Sequence, residues 1–79
     1  MTVQEVRRLY EARPFRPFVI HMADGQNIRV AHPEFMAIGP GARTMVVYQP
    51  DGSFEIVDLL LVTALKVPLD GRPGRGRSQ

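Results

Sequence analysis

Three glycine-containing turn signals, Asp24-Gly25, Gly39-Pro40-Gly41-Ala42 and Pro50-Asp51-Gly52, leave only short segments between them. Glycine readily takes the positive φ of a tight hairpin turn, so Asp-Gly between alternating segments predicts hairpins. The intervening segments repeat with a period of two. Phe18, Ile20 and Met22 share one face, with Val19 and His21 on the other. Ile28 and Val30 then alternate with Asn27, Arg29 and Ala31. Thr44–Tyr48 and Phe54–Val57 are rich in β-branched and aromatic residues, and Ala64–Val67 closes the series.

The chain opens differently. Thr2 followed by Glu5 is a capping box. Val3, Val6, Leu9 and Tyr10 fall on one face of a short helix, which Pro14 limits by disfavouring a helical conformation at Arg13. Such a short helix persists only if it docks on an apolar surface. His32-Pro33-Glu34 interrupts the second strand, because proline cannot donate to a ladder. Phe35–Ile38 resumes as a short strand or a bent continuation. Asp58 is placed to cap a single helical turn through Leu59, Leu60 and Leu61. The expectation is a mainly β domain over residues 1–68 with one N-terminal helix, built as a small five-stranded antiparallel barrel, since closure removes exposed strand edges. A disordered Gly/Arg-rich tail is expected over 69–79.

The 79 residues include no cysteine, which excludes disulfides and thiolate metal sites. This fits a reducing cytoplasm. The N-terminus lacks the apolar run of a signal peptide, and Leu59-Leu60-Leu61-Val62 is too short to span a bilayer, so no membrane association is expected. The net charge is +2, but residues 1–69 hold seven bases and seven acids. The excess positive charge belongs to Arg72, Arg75 and Arg77, so a uniformly basic nucleic-acid surface is not indicated for the folded part.

The string Ala12-Arg13-Pro14-Phe15-Arg16-Pro17-Phe18, with Asp24-Gly25, His32-Pro33-Glu34-Phe35 and Val57-Asp58-Leu59-Leu60-Leu61-Val62-Thr63, resembles a family of short bacterial proteins of planctomycete type across residues 1–67. That resemblance brings no established activity. The order of elements also resembles SH3/Sm-like barrels, which implies ring assembly through strand edges and RNA binding through two loops. The first loop of that family usually carries an Asp, an aromatic and an Asn. Here His32–Phe35 offers the aromatic Phe35 and no Asn. The second usually carries an Arg-Gly pair. Val57-Asp58-Leu59 stands in that place, and Asp58 has the wrong charge for phosphate.

Candidate chemistry is sparse. His32 and Glu34 are two apart but sit at a proline corner with no third ligand, so no metal and no cofactor is expected. No nucleophile–base pair is visible, and the chain is not expected to be an enzyme. Arg13 and Arg16, interleaved with Phe15 and Phe18, suit either a nucleic-acid strand or simple packing of the helix with solvated arginines. Three leucines on one turn cannot all enter one small core. Either the helix covers the outer ones, or Leu59, Leu60 and Leu61 mark a protein interface. The expected function is a non-enzymatic binding or scaffolding module that self-associates or holds a protein partner, with the strand edges, the leucine turn and the His32–Phe35 corner as contacts. The alternative is Sm-like RNA binding through Phe35, Arg13, Arg16 and the tail.

Overall fold

The computed structural model describes residues 1–41 and 43–69. The basic segment expected to be disordered lies, from residue 70 onward, outside the described residues. Helix α1 spans Val3–Tyr10. The Thr2 backbone N–H donates to Glu5 Oε1 at 2.9 Å, and the Glu5 N–H donates back to Thr2 Oγ1, which completes the capping box. Strands follow at β1 (Phe18–Met22), β2 (Asn27–Val30), β3 (Met36–Ile38), β4 (Thr44–Tyr48), β5 (Phe54–Asp58) and β6 (Val62–Lys66). Gly25 and Gly52 both adopt φ of 91°, the conformation their hairpins require.

The expected five-stranded closed barrel is overturned. Six strands form two three-stranded antiparallel sheets, ordered β2-β1-β6 and β3-β4-β5. Among the described residues, no strand of one sheet pairs with a strand of the other. The reason lies at two corners. Between β2 and β3 the chain makes a 3₁₀ turn at Pro33–Phe35, and between β5 and β6 another at Leu59–Leu61. The Met36 N–H donates to the Pro33 carbonyl, and the Val62 N–H to that of Leu59. Pro33 has no N–H to offer. Backbone groups at both corners therefore close local turns instead of extending a ladder around the molecule, and Met36–Ile38 becomes a strand of its own, which raises the count from five to six.

The inner faces and the helix build one core. Phe18, Ile20, Ile28 and Val30 enter from the first sheet, and Met36, Met45, Val47 and Val57 from the second. Val6 of α1 is fully buried among them, and Val3, Leu9, Tyr10 and Phe15 pack against this core. The helix thus docks on the core without covering the leucine turn. Side-chain hydrogen bonds tie one sheet to the other: Gln26 Nε2 donates to Glu55 Oε1 at 2.7 Å, and Gln49 Nε2 to the Arg29 carbonyl at 3.3 Å. Among the described residues, no polar side chain is buried and no helix is long and apolar enough to cross a membrane.

Candidate functional site

The two sheets present outer faces of opposite character. On the first, β2 offers Asn27 and Arg29, β1 offers Val19 and His21, and β6 offers Ala64 and Lys66. It is a polar surface. His21 Nδ1 lies 2.6 Å from Asn27 Oδ1; an amide oxygen only accepts, so Nδ1 is the donor.

The outer face of the second sheet is apolar. Side chains alternate along a strand, so Thr44, Val46 and Tyr48 of β4 share a face with Phe54, Ile56 and Asp58 of β5. Ala37 of β3 pairs with Val46 and extends the middle row. Tyr48 is 47% exposed, Phe54 55% and Ile56 69%. The Tyr48 and Phe54 rings are 5.5 Å apart between centroids. At the opposite end of the face, Arg43 reaches Asp58 with Nη2 to Oδ2 at 3.2 Å and Nε to Oδ1 at 3.3 Å. The face thus grades from aromatic, through aliphatic, to a cation–anion pair.

Asp58 also fixes the leucine turn. Its Oδ1 accepts from the Leu60 N–H at 3.0 Å, as a helix cap does. The turn is pinned to both sheets, because the Leu59 N–H donates to the Arg43 carbonyl and the Leu61 carbonyl accepts from the Ala23 N–H. Leu59 enters the core, while Leu60 and Leu61 remain 66% and 53% exposed.

The other expected site residues fall elsewhere. The exposed His32 packs its ring edge-on to Phe35, with centroids 5.2 Å apart. Arg13 donates to the Ala12 carbonyl, and Arg16 donates to the carbonyls of Pro68 and Leu69. Phe15 and Phe18 rings lie 6.0 Å apart, with Phe18 fully buried. These arginines therefore bind their own backbone, and the two rings belong to the core and its margin. Among the described residues, no group of three or more metal-ligating side chains comes together. Sequence reasoning missed Tyr48, Phe54 and Ile56. The signal was present: β4 and β5 are apolar at positions facing both ways, as strands covered on both sides are.

Three carboxylates are held below their usual range by hydrogen bonds. Arg43 and then the Leu60 N–H act on Asp58, the Ser53 hydroxyl and N–H on Asp51, and the Thr2 backbone and hydroxyl on Glu5. A depressed carboxyl binds its proton more weakly folded than unfolded. Its stabilisation is present above the ordinary carboxylate range and is lost as pH falls through the lowered value. The urea midpoint is expected to fall progressively below about pH 4, and Asp58→Asn to flatten part of that fall. A midpoint unchanged from neutrality to pH 3 would show that these caps add nothing.

No family model matches this chain, and no curated protein or solved structure matches it at a significant level.

Proposed function

We propose that this chain is a non-enzymatic protein-docking module whose contact surface is the outer face of β3-β4-β5. One observation carries the reading: Tyr48, Phe54 and Ile56 stand about half exposed or more on one face of a hydrogen-bonded sheet. Together they present on the order of 300 Å² of apolar surface, about the size of the largest patch on a typical monomer, which is often functional. An aromatic–aliphatic centre with a charged rim is the composition of a protein interface. The polar outer face of β2-β1-β6 serves as the solvated side. We take the module to be cytoplasmic, where a chain without cysteine needs no oxidising surroundings.

Photo-crosslinking tests the reading in cells that express the full chain. A benzophenone side chain in place of Phe54 is expected to yield covalent protein adducts. The same group in place of Ala64, on the opposite sheet, is expected to yield few. Equal yields at the two positions, or none at position 54, would refute it.

A further inference from the structure

We infer that the occupant of this face is a second copy of the chain, stacked face to face about a two-fold axis running along the strands between β4 and β5. The inference rests on the docking reading above, and the register of the sheet carries it. Cross-strand neighbours on the outer face match in character at two of the three rows, Tyr48 beside Phe54 and Val46 beside Ile56, while the third sets Thr44 beside Asp58, whose carboxylate pairs with Arg43 just before β4. A two-fold axis between these strands lays β4 of each copy over β5 of the other. Tyr48 then meets Phe54 of the second copy, Val46 meets Ile56, Thr44 meets Asp58, and the two Arg43–Asp58 pairs come together at one end. Each contact occurs twice, as an isologous interface requires.

The alternatives fit less well. An in-plane axis across the strands would set the ion-pair end on the Tyr48–Phe54 end and desolvate the charges against rings. Along the strands, each guanidinium instead gains a second carboxylate. The overlap of β4 with β5 buries at most about 1,000 Å² in a dimer, the low end of the range for specific interfaces, which fits a weak, concentration-dependent association. Residues 1–69 carry equal numbers of acids and bases, so two folded bodies approach without net repulsion.

Sedimentation equilibrium of the full chain over a wide concentration range is the test. The mass is expected to approach twice 8.9 kDa. Arg43→Asp would gather four carboxylates at one end of the dimer, and Asp58→Arg four guanidinium groups. Each variant alone is expected to dimerise at least about 10-fold more weakly, and an equimolar mixture to recover the wild-type affinity. Far-UV circular dichroism confirms that both remain folded, and Arg43→Asp keeps the Asp58 cap on Leu60. A dimer indifferent to both substitutions overturns the proposed packing. A single-chain mass throughout, with position 54 still crosslinking to a different protein, overturns the second copy and leaves the docking reading standing. A single-chain mass with no adduct at position 54 removes both.

Discussion

Phe18→Ala is expected to lower the stability of the folded chain by about 3–5 kcal/mol, the usual range for truncating a buried phenylalanine. Phe18 is completely buried at the start of β1 and packs against Phe15. Alanine there leaves a cavity that is hard to close, because β1 is the central strand, paired with β2 on one side and β6 on the other. Small domains bury only about 60% of their unfolded surface and have correspondingly thin margins, so this one substitution removes much of the folding free energy. Phe54→Ala is the matched comparison, since Phe54 points outward from β5 and its removal opens no internal cavity. Measured by urea unfolding below the concentration at which chains associate, it should cost less than about 1 kcal/mol. Comparable losses for the two substitutions would place Phe54 in the core and discard the docking face.

Ile56→Arg should do the reverse. Ile56 lies in the middle row of the apolar face, next to Val46 and beyond it Ala37, and is more exposed than Tyr48 or Phe54. An arginine there extends into solvent in the isolated chain, so the far-UV spectrum and the urea midpoint of the monomer should be preserved. In the stacked dimer the same change buries two unpaired guanidinium groups beside each other. Central interface residues contribute about 2 kcal/mol or more apiece, and two-fold symmetry counts each twice. Dimerisation should weaken by at least about 100-fold. Ala64→Arg, on the polar face of the other sheet, should leave it unchanged. If Ile56→Arg and Ala64→Arg behaved alike, association would run through some other surface.

Most local elements of this fold were legible in the residues. Thr2 and Glu5 announce the helix, Asp24-Gly25 and Asp51-Gly52 the hairpins, and Asp58 the capped leucine turn, because each depends on near neighbours alone. Closure was not legible. It depends on whether Phe35–Ile38 continues the second strand or begins a new one. That is settled by where the Met36 N–H points, which is to the Pro33 carbonyl within the turn. The same bond, repeated from Val62 to Leu59, separates the sheets at the other corner. The sidedness of the docking face was hidden for a related reason. In Thr44–Tyr48 and Phe54–Val57 the apolar residues occupy both parities, so alternation could not say which face met the core. Pairing with β3 and packing against the first sheet decided it, turning Met45, Val47 and Val57 inward and Val46 and Ile56 outward. The leucine turn was half legible. Three leucines exceed what one turn can bury, and Leu59 is the one that enters the core. The partners of Arg16 were not legible, because the carbonyls of Pro68 and Leu69 lie far away in sequence, whereas Arg13 bonds to its neighbour Ala12.

The most direct test of the docked face is an isotope-filtered NOE experiment on a one-to-one mixture of labelled and unlabelled full chain. Contacts between copies are expected from the Ile56 methyls to those of Val46, and from the Tyr48 ring to that of Phe54. None are expected from Val19, His21 or Ala64. Intermolecular contacts confined to Leu60 and Leu61 or to the β2-β1-β6 face, or no contacts at millimolar concentration, would show that the face between β4 and β5 is not where two copies meet.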